Sequence, residues 1–471
     1  MNSIIGISHE EEVFNIPQKE NNVMNQSFKS LISIFVGIVS FVFSVSAMAG
    51  ESSAAPAKAK GILPLPDYSG GFFERAYLLG DFGGKRSEWA ENGVTFNIDS
   101  YQYLQSVASG GVETDTENVG VTDFNLVIDF DRMGLIPGGL LQMRAVSRYG
   151  KSVNLISGGA IPVNTNATTP TTSDPNEDVF FHLPIINYTQ FLSKQFAILV
   201  GKINTYPQSN EFKGGDGKSQ FWNLTLAAPV APVLIIPYST LAAGVIIMPS
   251  SDLTIQLAAG TSTDTSNRSG FDDLDDGMFG LLKIAYQYQF GDLPGGIINQ
   301  FGYGWDNDFS KVNGRFVLDS GTLTPTSENT TWFNSSSIWQ YLWVEGDSKQ
   351  KVDINNGQQD LEGVGVFCRY QFADKDTNPL DYLISFGVSA KGLFPNRDND
   401  TMGIGFSYMK LQDLRLGNLV GVDDSSSVWE LFYNIELTPA IHLSLDGQVV
   451  DGALPDTDRA VILGTQLELR F

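Results

Sequence analysis

From Val94 onwards, apolar and polar residues alternate one by one along the chain. In an extended strand that spacing sends successive side chains to opposite faces of a sheet. Phe124, Leu126, Ile128 and Phe130 interleave with Asn125, Val127, Asp129 and Asp131. Leu282, Ile284, Tyr286, Tyr288 and Phe290 interleave with Lys283, Ala285, Gln287 and Gln289, and Trp429, Leu431, Tyr433, Ile435 and Leu437 with Glu430, Phe432, Asn434 and Glu436. The final stretch puts Val461, Leu463, Leu467, Leu469 and Phe471 on one face and Gln466, Glu468 and Arg470 on the other. The pattern predicts sixteen strands, at 94–106, 121–131, 139–149, 183–193, 195–204, 241–248, 253–261, 279–290, 297–307, 336–345, 362–372, 381–391, 401–411, 428–437, 441–450 and 460–471.

Strand length separates a membrane wall from a soluble sandwich. Most of these segments run to about ten to twelve residues, which a tilted strand needs to cross a bilayer, against the usual ~5–6 of soluble sheets. The connections 132–138, 249–252, 291–296 and 438–440 are tight, whereas 150–182, 205–240, 262–278 and 308–335 are long. That asymmetry is typical of outer-membrane barrels, although between 346 and 400 the expected inner turn is longer than the expected outer loop. An open sheet in lipid would leave its edge amides unpaired, so the first and last strands are expected to join. The fold class is therefore all-β: a closed transmembrane antiparallel barrel, wide enough at sixteen strands to hold water.

Ahead of the strands, an apolar run from Leu31 to Val45 follows Lys29 and precedes Ala47-Met48-Ala49. That order reads as a signal peptide over 1–49, cleaved after Ala49, with translation beginning at Met24. Residues 50–92 form a periplasmic leader, flexible over 51–70 and carrying a short helix from Gly84 to Asn92 that Gly93 stops. The barrel takes 93–471.

Composition narrows the function. In 471 residues, 48 are glycine, which suits turn-rich β structure, and aromatics make up 11%, too many for a disordered chain. The net charge of −24 argues against nucleic acid as a partner. The single cysteine, Cys368, leaves no disulfide and no zinc cluster and falls on an apolar face. No cofactor is expected. His442, Ser444 and Asp446 share the polar face of one strand, but a row of lumen residues is commonplace, and catalysis is not expected.

Selectivity in a channel comes from side chains that project inward, where low-dielectric walls focus the field of fixed charges. Arg144 and Arg148 share one polar face and are the leading candidates for hydrogen bonds to solute hydroxyls. Lys202, Arg369, Glu430, Asp446 and Gln448 fall on other polar faces, while Glu468 and Arg470 belong nearer a mouth. The loop 205–240, with Tyr206, Phe212, Phe221, Trp222 and Tyr238, is expected to fold inward and narrow the pore. Trp222 could stack on a sugar face; Phe221 and Trp222 could equally pack the loop against the wall. Trp339, Tyr341 and Trp343 read as lipid-facing belt residues. Asp272, Asp273, Asp275 and Asp276 lack the spacing of a calcium loop and read as a solvated outer loop, with bridging to surface lipid through divalent cations as the alternative.

Four stretches resemble the carbohydrate-selective porins of the OprB family. They are Leu79-Gly80-Asp81-Phe82-Gly83-Gly84-Lys85-Arg86 with Asn92-Gly93-Val94; Gly201-Lys202-Ile203-Asn204; Asn396 to Gly405; and Trp429 to Pro439 with Asp446 to Val450 and the terminal strand. Phe82 stands where tryptophan is common in the family. The resemblance implies a sixteen-stranded barrel admitting small saccharides such as glucose by passive diffusion. It also implies contact with outer-membrane lipid and lipopolysaccharide, and a terminal Phe471 read by the barrel-assembly machinery. Two other readings stay open at this point: a general porin with cation preference, and a secreted soluble β-protein that binds sugars.

Overall fold

The computed structural model describes residues 61–172, 174, 176–206, 217–274, 277–314, 316–319, 322–346, 361–412, 423–454 and 457–471. The signal peptide, the start at Met24 and the leader up to residue 60 lie outside them, as do Phe212, Asp275 and Asp276.

The strands, in chain order, are β1 (Val94–Gly111), β2 (Thr116–Asp129), β3 (Gly139–Gly150), β4 (Val179–Phe191), β5 (Phe196–Asn204), β6 (Ser239–Ser250), β7 (Leu253–Thr261), β8 (Met278–Phe290) and β9 (Leu293–Ser310). Then come β10 (Phe316–Asp319), β11 (Thr322–Pro325), β12 (Ser327–Val344), β13 (Gly363–Ala373), β14 (Leu380–Lys391), β15 (Thr401–Leu411), β16 (Ser425–Thr438), β17 (Ile441–Asp451) and β18 (Asp458–Arg470). β10 and β11 form a separate two-stranded hairpin, and the other sixteen make one closed barrel. Each barrel strand pairs antiparallel with its neighbour in sequence, β9 with β12 across the hairpin. β18 closes onto β1 with Tyr101 opposite Glu468 and Tyr103 opposite Gln466.

All sixteen expected wall strands are present. The largest difference in extent lies at the loop end of β12, which starts at Ser327, opposite Ser310 of β9, rather than at 336. There the two strands and their hairpin have left the apolar band, so both faces meet water and the alternation that marks a wall strand fades. At the end of the barrel where β1 begins and β18 finishes, the connections are short. β8 and β9 are joined by Gly291-Asp292 alone, and Gly291 adopts the positive φ of 63° that a two-residue hairpin favours. The longer 345–362 connection between β12 and β13 lies at this same end, so the strand phase is unbroken there.

The outward face is apolar. Tyr286, Leu431 and Leu463 are 48%, 59% and 56% exposed, as a side chain facing hydrocarbon would be in the absence of lipid. The inward face is largely covered. One expectation fails here: Trp339 and Tyr341 are buried, grouped with Phe221, Phe367 and Phe432 rather than facing lipid. A register shift between Tyr341 and Trp343 changes which side of the strand is presented, and Trp343 alone of the three is exposed.

The segment before β1 is fixed to the barrel seam. Tyr68, expected in a flexible stretch, is buried. In the Gly-Asp-Phe-Gly-Gly motif, Gly80, Phe82, Gly83 and Gly84 all take positive φ, and the resulting turn lets Asp81 accept from the backbone N–H and hydroxyl of Ser87 in α1 (Lys85–Glu91). Arg86 of α1 stacks on Tyr68 and Tyr77 at 4.1 and 4.8 Å. It also donates to the carbonyls of Gly80, Phe96 and Phe471 and to Asn97.

Candidate functional site

Two long connections at the loop end turn into the lumen: loop A (151–178) and loop B (205–238). Loop B is apolar enough to be a core element. Its short helical turns α2 (Leu224–Ala227) and α3 (Val230–Val233) bury Leu224, Leu226, Val230 and Ala231. Opposite them, inward positions that a water-filled barrel would make polar are Phe279, Phe333, Leu383 and Met409. Phe221 packs edge-on to Phe367 and Phe432 at 5.7 and 4.8 Å, and Trp222 edge-on to Tyr103 at 5.2 Å. Wall glycines make room: a Cβ at Gly464 would stand 2.6 Å from the Trp222 ring, and one at Gly405 2.8 Å from Leu226. Loop A buries Val153 and Val163 against Val107, Val428, Val450 and Ile462.

The charged groups lie around these loops. Asp123 on β2 accepts from Arg144 on β3 through Nε and Nη2, at 3.1 and 2.8 Å, and from Lys218 of loop B at 2.5 Å. All three are buried, and the Lys218 ammonium also sits 4.9 Å from the Tyr101 ring centroid. Arg144 Nη1 makes no hydrogen bond within the described structure. The cluster sets a carboxylate, a guanidinium and an ammonium together at the wall beneath loop B, with one guanidinium nitrogen, itself buried, left without an acceptor.

The other expected residues reach the loops. Arg148 donates to the carbonyls of Ala167, Pro170 and Glu177 and to the Thr172 hydroxyl, all in loop A. Arg369 donates to the Leu226 carbonyl of loop B and to Ser337 on β12. Glu430 accepts from the backbone N–H groups of Trp222 and Asn223. Gln448 accepts from the Asn223 side chain at 3.1 Å and donates to the Val163 carbonyl and to Asp446, each at 2.9 Å. Lys202 lies elsewhere. Gly201 before it has a φ of 129° within a strand whose pairing continues unbroken, and the Lys202 ammonium donates to the Arg268 carbonyl in the connection after β7. In the row His442, Ser444, Asp446, the Ser444 hydroxyl donates to Gln466, and Asn434 is hydrogen-bonded to both His442 and Ser444. That is a wall network with no nucleophile held on a base.

Sequence reasoning missed Asp123, Lys218 and the whole of loop A. Asp123 was within reach, one alternation step before Asn125 on the same face. Lys218 meets Asp123 across 95 positions of sequence, and no local pattern encodes such a contact.

The family model of the carbohydrate-selective porins, OprB family, matches residues 113–471. The chain belongs to the OprB family. Porin B of Pseudomonas aeruginosa is 23% identical over 443 residues, covering 84% of this chain and 91% of that protein. The high-pH structure of Pseudomonas putida OprB superposes with a TM-score of 0.70 at 17% identity, over 85% of this chain and all of the other. Its low-pH structure gives 0.51 at 15% identity, over 84% and 99%. At such identities these structures establish the shared barrel, and the family match carries the rest: this OprB-family chain is a carbohydrate-selective porin of the outer membrane.

Proposed function

We propose that the protein lets small saccharides such as glucose diffuse passively across the outer membrane, and that Arg144, with Asp123 and Lys218, forms the polar face that solute hydroxyls meet at the narrowest point. The observation that carries this reading is the inward packing of loops A and B beside that charged trio. A neutral polyol crossing there exchanges water for fixed donors and acceptors, and its passage requires that the exchange be nearly even. Arg148, Arg369, Glu430, Asp446 and Gln448 belong to the same channel region, where the buried Trp222 ring packs loop B against the wall and offers no face for a sugar to stack on; Lys202 contributes to the wall near the loop end.

In this reading the short-turn end faces the periplasm and the long loops face outward. Residues 1–49 are removed on export, the belt contacts lipid and lipopolysaccharide, and Phe471 is read by the assembly machinery. No chemical step is assigned.

Planar-bilayer conductance with and without added glucose tests the function. Sugar should reduce the ion current of the native channel. Replacing Arg144 and Arg148 together by alanine should change glucose entry into liposomes; unchanged swelling would remove both from the solute path. The acidic chain, at −24, favours a second reading, a general porin with cation preference. Cation-selective current that glucose leaves untouched would support it instead.

A further inference from the structure

Loops A and B touch each other as well as the wall: Ile161 and Ala167 of loop A pack on apolar residues of loop B, and a few polar groups fix the junction. The Trp222 carbonyl of loop B accepts from both the backbone N–H and the hydroxyl of Thr165 in loop A, at 2.8 and 2.7 Å. The Leu224 N–H donates to the Pro162 carbonyl at 3.1 Å. Gln448, from the wall, holds Asn223 with its oxygen and Val163 with its nitrogen, and so spans the two loops. Glu430 takes the N–H groups of Trp222 and Asn223, which precede α2, and Asn223 Oδ1 accepts from the N–H and hydroxyl of Thr225. All of these side chains are buried. Without Glu430, two buried backbone donors would be left with no partner at the point where the loops meet.

We infer that Glu430 and Gln448 are positioning residues that lock loops A and B into one rigid constriction, so that the lock sets the largest saccharide the channel passes. The inference rests on the porin reading above and goes beyond it, because neither residue needs to touch the solute. Apolar packing sets where loop B lies along the wall, whereas the Glu430 and Gln448 contacts fix its junction with loop A. A loop released there can move away from the lumen axis without losing its seat on β12–β15.

The test uses the exported chain in planar bilayers and liposomes, with potassium chloride, glucose and raffinose as probes. Glu430→Ala should raise single-channel conductance, make the open current noisy and increase the raffinose-to-glucose permeation ratio about tenfold, the scale expected from leaving a buried backbone donor unpaired. Glu430→Gln keeps an acceptor oxygen for the two N–H groups and should leave the size limit close to native. Gln448→Leu should also raise the size limit. Because both residues hold one junction, the double variant should go little further than the larger single effect.

Unchanged size limits in Glu430→Ala barrels that keep native heat-modifiable migration would overturn the lock, as would fully additive effects of the two substitutions. If Glu430→Ala fails to fold, Gln448→Leu decides: a native size limit in that variant overturns the inference. A native channel that glucose neither enters nor blocks, with Glu430→Ala still raising chloride-salt conductance, would support the lock while removing the sugar reading.

Discussion

Asp123 is the residue on which the charged trio balances, one carboxylate against a guanidinium and an ammonium, all buried. Removing one partner from a buried ion cluster leaves charge that neither water nor protein compensates. Asp123→Asn should therefore move the reversal potential towards anions and lower the stability of the folded barrel by about 3–5 kcal/mol, measured as a fall in the urea midpoint. Arg144 was legible in the sequence because the period of two marks the inward face of β3. Which inward residues meet solute and which hold loops was not legible, since Arg148, Arg369 and Glu430 owe their surroundings to loops that arrive from distant parts of the chain. Trp339 shows the other limit. A bulge changes side-chain direction by one step, and aromatic character alone does not reveal on which side of the bulge a residue falls.

Among the elements, the turn 392–400 between β14 and β15 is held by a single buried carboxylate. Asp400 accepts from Arg397 at 2.8 and 2.7 Å, from the Tyr433 hydroxyl at 2.6 Å and from the Glu436 N–H at 2.9 Å. Burial alone would raise its pKa, but the donors around it outweigh that and hold the carboxyl below its ordinary value of 3.8. A depressed folded pKa contributes stability that is present above 3.8 and is lost as pH falls through the lower folded value. Asp400→Asn should thus lower the thermal midpoint of heat-modifiable migration at neutral pH, and the gap from native should close as the pH is brought to about 2. The strands themselves were readable because lipid on one side and a polar or loop-packed lumen on the other impose alternation. The β10–β11 hairpin was not, because above the apolar band nothing enforces that contrast.

For the whole molecule, closure depends on one seam, and Arg86 bridges it by bonding to β1 and to the terminal Phe471 while stacking on two tyrosines. Arg86→Ala should cost about 2–4 kcal/mol of folded stability, read from the urea midpoint, and Arg86→Lys should recover only part because an ammonium lacks the planar fork. Deleting Phe471 should reduce the amount of barrel reaching the outer membrane, measured by fractionation. β9 and β12 have 18 residues each. At about 3.4 Å per residue such a strand is roughly 60 Å long, well beyond the ~25 Å apolar band even when tilted by about 40°. With the long loops outward, this ribbon stands clear of the lipid headgroups, remote from the solute path, and its tip could carry a foreign epitope to be labelled by antibody on intact cells while nutrient uptake continues beneath it.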